Sequence, residues 1–133
     1  MKKSIFCITC TAVLMVSSVL WSSCNNDDDS IMNEEELIEY LKSDKCPKRT
    51  QAFQDSPQWL SEKVAQMEDA APWRLFTHVY TFSYEGNVYY LIYTAASATM
   101  FDHIYNAHGT EVTFPNSNWY EKAKDWVCIY VQE

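Results

Sequence analysis

The sequence predicts an α+β fold: two N-terminal helices packed on a small antiparallel sheet of about five strands. Three observations lead there. Apolar residues recur at helical spacing as far as Met67, the period falls to two after "AAPW", and the strand-like runs that follow are joined by tight turns. At 133 residues the chain has room for one domain and a targeting segment, but not for two independent cores.

The chain begins with "MKK" and then "SIFCITCTAVLMVSSVLW", a charged start and an apolar run without an acidic residue. This is the pattern of a secretory signal over residues 1–23. The run approaches the length of a membrane span. The small-residue exit "SSC" and the lack of a following basic stop-transfer cluster favour cleavage. Residues 24–30 are polar and acidic and read as a flexible tether, leaving 31–133 as one α+β domain.

In "NEEELIEYLKSD", Asn33 can cap a helix, Glu36 completes a capping box, and Leu37, Ile38 and Leu41 form the apolar stripe. "KCPKRT" is a basic break interrupted by proline. The second helix is signalled by "DSPQWLSEKVAQMED", with Ser56 as cap, Pro57 at the first position and Trp59, Leu60, Val64 and Met67 on one face. "RLFTHVYTFSYEGNVYYLIYTA" alternates on both sides of "EGN" and predicts a hairpin. "FDHIYNAHGTEVTF" predicts a second, with Gly109 where a positive φ is needed. "PNSNWYEKAKD" reads as a short helix or wide loop leading to a last strand, "WVCIYV".

The segment "LWSSCNNDDDS" resembles the lipobox of bacterial lipoproteins, which implies that Cys24 is lipidated and becomes the new N-terminus. Strict lipoboxes carry Leu three residues before the cysteine; here that position is Trp21 and Leu20 lies one place back. The acidic run Asp27, Asp28 and Asp29 is similar to the export signal that sends lipoproteins of Bacteroides-like bacteria to the outer face of the outer membrane. The resemblance implies an outer-membrane protein, anchored through palmitate-like acyl chains and facing the exterior. "PQWLSEKVAQM", "YTFSYEGNVYYLIY" and "FDHIYNAHGTEVTFP" look like a family of small Bacteroidota lipoprotein domains of unknown function. Where that family has a Cys-Cys-Asp-Gln group this chain has Ser97 to Met100, and where it has a Gly-rich stretch this chain has "NSNWYEK". A thiol or metal site is therefore not carried over.

Charge excludes nucleic acid. The formal net charge is −8, and removal of Lys2 and Lys3 with the signal leaves 8 basic against 18 acidic residues, a net −10. Cys7 and Cys10 leave as well, so Cys46 and Cys128 remain either as a disulfide or as two separately buried thiols. A bridge closing some 80 residues would add roughly 4 kcal/mol in the chain-entropy model.

No catalytic residue, cofactor or metal is expected. Gly86 and Gly109 are the only glycines, so no Gly-rich loop can cradle a phosphate. Asp102, His103 and His108 are close in sequence, but alternation in a hairpin reads them as solvated strand and turn residues, and His78 has no ligand-spaced partner. Cys128 lies in an apolar strand, where a thiol is packed or bridged more often than activated.

Aromatic content is the positive signal, with 5 Trp, 9 Tyr and 6 Phe. Alternation in "VYYLIYTA" puts Tyr89, Leu91 and Tyr93 on one face and Val88, Tyr90 and Ile92 on the other. Both sets can fill a core; alternatively Tyr80, Tyr84, Tyr89 and Tyr93 form a recognition face for a partner or a sugar. The functional expectation is a surface-exposed, non-enzymatic binding module. Its partners would be an outer-membrane transporter of a nutrient-uptake complex, or a glycan or peptide ligand. The alternative is an inhibitor of papain-like cysteine peptidases, similar to those of streptopain relatives.

Overall fold

A computed structural model describes residues 32–70 and 76–132. The signal 1–23, Cys24 and the tether with Asp27, Asp28 and Asp29 lie outside the described residues. Among those described, no helix is long and apolar enough to cross a membrane.

Helix α1 (Glu34–Lys42) starts where the chain supplies its own cap. The Asn33 side chain accepts from the Glu36 N–H at 2.9 Å, and the Glu36 carboxylate accepts from the Asn33 N–H at 3.1 Å, the expected capping box. Three glutamates in the first turn and Lys42 in the last complement the helix dipole. Leu37 and Leu41, four apart on one face, are buried.

A short helix, α2 (Gln51–Gln54), was not foreseen and precedes α3 (Gln58–Ala70). Ser56, expected to cap α3, donates its hydroxyl backwards to the Phe53 carbonyl at 2.6 Å and so closes α2. Leu60 and Val64 form the buried stripe of α3.

Four strands make the sheet: β1 (Thr77–Tyr84), β2 (Asn87–Thr94), β3 (Ile104–Asn106) and β4 (Lys124–Gln132), in the order β3-β2-β1-β4 with every neighbour antiparallel. The first hairpin turns on Glu85 and Gly86 alone, with φ of 48° and 82°, the left-handed pair that matches the twist of the flanking strands.

The fold class is as expected, but the expected fifth strand is not among the described residues. In the second hairpin, Asn106 Oδ1 accepts from the N–H groups of His108 and Thr110, and the Asn106 N–H donates to the Thr110 carbonyl. This tight loop is followed by a single bridge, Tyr105 to Glu111. The chain then leaves the sheet, and Val112 and Phe114 pack against the core instead.

Helices lie against both faces of the sheet. On one side Leu60 and Val64 of α3 join Val79, Ile92, Tyr105 and Ile129. On the other, Leu37 and Leu41 of α1, together with Met100 and Trp119, cover Tyr80, Phe82, Tyr84, Leu91 and Trp126. The one-residue alternation of β1 feeds both layers: Val79 goes to the first, Tyr80 and Phe82 to the second. A sheet apolar on both faces leaves no face to water, so the loop 100–123 supplies cover that one more helix would otherwise give.

Candidate functional site

The tyrosine face is mostly interior. Tyr80 is fully buried; its hydroxyl donates to the Leu41 carbonyl at 3.2 Å and lies 2.9 Å from His78 Nδ1. Burial, and then the nearby Cys128, push its phenol well above the ordinary range. Tyr84 is buried with its ring 4.7 Å from that of Phe114. Tyr89 is half-buried and stacks on Phe82. These three rings belong to the layer covered by α1 and the 100–123 segment, so they follow the core-filling reading of the two that alternation left open. Tyr93 differs: it is half-buried, Phe76 packs edge-on against it at 6.1 Å, and the Lys42 ammonium lies 5.6 Å from its ring centre. Lys42 also lines a groove of about 520 Å³ along α1, with Glu35, Ile38, Glu39 and Ser43.

The candidate ligand residues are not gathered. His103 Nδ1 meets the Glu111 carboxylate at 3.1 Å, while Asp102 accepts from the Thr99 hydroxyl and N–H, which hold its carboxyl below the ordinary value. His108 sits exposed in the turn. Among the described residues no three His, Cys, Asp or Glu side chains are grouped to hold a metal.

Cys46 and Cys128 are both buried, free thiols in one core layer. Cys46 Sγ lies 4.0 Å from the Trp126 carbonyl, and Cys128 Sγ donates to that of Tyr130 at 3.6 Å. Burial, then the neighbouring Cys128, push the Cys46 thiol up to about 11. Neither is set up as a nucleophile at neutral pH.

The same burial makes stability depend on alkaline pH. Tyr105 is pushed up to about 12, first by burial and then by Glu111. In the unfolded chain a phenol ionises near 10 and a thiol near 9, so above those values the unfolded state holds fewer protons than the folded one. The contribution is complete below them and is lost as pH rises through about 11 for Cys46 and about 12 for Tyr105. Each group should remove about 1.4 kcal/mol per pH unit within its window. Urea midpoints measured from pH 8 to 12 should fall steeply above about pH 9; a flat series would contradict the assignment.

A second concavity, of about 490 Å³, forms where the chain between α1 and α2 runs beside the start of β4. The Cys128 N–H donates to the Pro47 carbonyl and the Arg49 N–H to the Cys128 carbonyl, both at 2.8 Å, so residues 47–49 lie along β4 as a short parallel partner. Tyr40, Pro47, Trp126 and Val127 line the cleft with Arg49 and Lys124. Asp125, also lining it, has φ of 56°; it is the extra residue where the pairing slips between Thr81–Val127 and Ser83–Lys124. Aspartate tolerates this left-handed geometry better than most residues, and it turns the carboxylate away from the alternation of the strand. Sequence reading passed over Arg49, Lys124 and Asp125; the basic break "KCPKRT" and the run "KAKD" were the signals. Their meeting depends on a pairing between residues some 80 positions apart, which no local pattern announces. No family model, curated protein or solved structure matches this chain.

Proposed function

We propose that the chain is an outer-membrane lipoprotein, held by acyl chains on Cys24 and facing the cell exterior, that acts as a non-enzymatic binding module accessory to a nutrient-uptake complex. The observation that carries the reading is "SSC" at the end of an apolar leader, followed at once by "NNDDD". Each buried methylene of an anchor contributes about 0.8 kcal/mol, one chain is marginal and two hold stably. The acidic tether hydrates the link and keeps the domain off the membrane. The side-chain mixture of the β4 cleft supports a binding role, since ligand sites combine an apolar lining with a few polar groups that fix orientation.

The test has two variants and one purification. Cys24→Ala should leave the protein unlipidated and move it from the detergent phase to the aqueous phase. Replacing Asp27, Asp28 and Asp29 with alanine should keep the lipid but remove sensitivity to protease added to intact cells. A triple variant that stays fully exposed would reduce the acidic run to a solvated spacer. Crosslinking and affinity purification from native outer membranes should recover a transporter; recovery of a cysteine peptidase would overturn the uptake role.

A further inference from the structure

We propose that the cleft between residues 47–49 and the start of β4 binds an acidic sugar, with Arg49 and Lys124 taking its carboxylate or sulfate group and Asp125 accepting from its hydroxyls. The inference rests on the binding-module reading and adds the chemical class of the ligand.

Charge distribution is the first support. The chain is acidic overall, yet five of the seven basic residues among those described, Lys45, Lys48, Arg49, Lys122 and Lys124, fall on the two segments that meet at this cleft. Lys48 is paired with Asp44 at 3.6 Å and Lys122 reaches Glu85 at 4.0 Å. Arg49 and Lys124, the two that line the cleft, form no ion pair with a described residue. A guanidinium fork and an ammonium lining one cleft suit a planar carboxylate or a sulfate. By contrast, the groove along α1 carries Glu35 and Glu39 beside Lys42 and would repel an anion.

The remaining lining narrows the class. A simple inorganic anion would gain nothing from Asp125, whereas a sugar acid brings hydroxyl donors for that carboxylate together with its own negative group. Tyr40 and Pro47 give the apolar surface on which the C–H face of a sugar ring rests, above the buried Trp126. A volume of about 490 Å³ lies within the usual range of small-ligand sites. The parts are also held in place: the two 2.8 Å backbone bonds at Cys128 fix the Arg49 segment, and the bulge at Asp125 fixes the aim of its neighbours.

Full-length lipidated protein in detergent, titrated calorimetrically, decides the matter. The probes are an oligogalacturonate, a sulfated disaccharide, a neutral oligosaccharide of matched length and a glutamate-rich peptide. At least one acidic sugar should bind, more weakly at about 0.5 M salt, while the neutral sugar gives no measurable heat. Arg49→Gln and Lys124→Gln should each weaken binding about tenfold or more, with circular dichroism and urea midpoint unchanged. The inference is overturned by no binding of either acidic sugar, by equal binding of the neutral one, by tighter binding of the peptide, or by variants of undiminished affinity. Membrane localisation and partner recovery are read separately, so failure here leaves the anchored-module reading to its own test.

Discussion

Phe82→Ala should lower the unfolding free energy by about 3–5 kcal/mol, a large share of the roughly 5–15 kcal/mol that holds a domain of this size together. Phe82 is 1 % exposed and stands at the centre of the larger aromatic layer. Its ring stacks on Trp126 at 4.3 Å and 20°, lies 5.6 Å from Tyr89 and 5.3 Å from Trp119, and touches the edge of Phe114. Those partners come from β2, β4 and the loop between β3 and β4, so the cavity left by alanine would open where three parts of the chain meet. Stiff rings cannot collapse into such a space without losing their own stacking, which puts the cost at the upper end. Phe82→Leu keeps much of the volume and should cost less than half as much. Chemical denaturation of both variants checks the order; equal losses would show that the stacking of the ring, and not the area it buries, sets the energy.

The second large effect is expected at Gly109. Its φ is 81°, and a Cβ placed there would stand 2.8 Å from Cδ2 of Trp59. Trp59 cannot swing aside cheaply, because its indole N–H donates to the Ala107 carbonyl at 3.1 Å and its ring packs on Tyr90 and Tyr105. Gly109→Ala therefore combines left-handed strain of about 1–2 kcal/mol with overpacking of about 1–3 kcal/mol. Gly86→Ala provides the control: its φ of 82° is similar, but nothing lies within 4 Å of the added carbon. It should show the strain alone. If both substitutions cost the same, the contact with Trp59 carries no energy.

This pair of glycines also shows what could be read from the sequence. A positive φ at Gly109 was legible because the turn demands it, whereas the indole resting on it was not, because Trp59 is 50 positions earlier and arrives through packing of α3. The capping box at Asn33 and Glu36 and the stripes of α1 and α3 were legible for the same local reason. The fifth strand was misread since "EVTF" alternates like a strand, and only the Asn106 loop and the aromatic layer decide that it turns inwards. The choice between a core and a recognition face was hidden for the same reason. Alternation placed Tyr80, Tyr84, Tyr89 and Tyr93 on one face correctly, but whether a face meets water depends on what covers it, and the cover comes from remote segments. Arg49, Lys124 and Asp125 left only the charged stretches "KCPKRT" and "KAKD" as signals, because the two become one surface only after β4 docks.

The strand order carries a consequence for the timing of assembly. β1 lies between its immediate successor and the strand formed last in the chain, and its pairing with β4 spans more than 40 residues. As the chain lengthens, the β1–β2 hairpin can close at once, yet its central strand keeps one bare edge until β4 exists. Both core layers need β4 as well, through Trp126 and Cys128 on one side and Ile129 on the other. A nascent chain ending at residue 123 is thus a hairpin and helices without a core. Folding of this domain waits for its last strand, and the intermediate present meanwhile exposes apolar surface and an unpaired strand edge, the features that make a chain prone to aggregate.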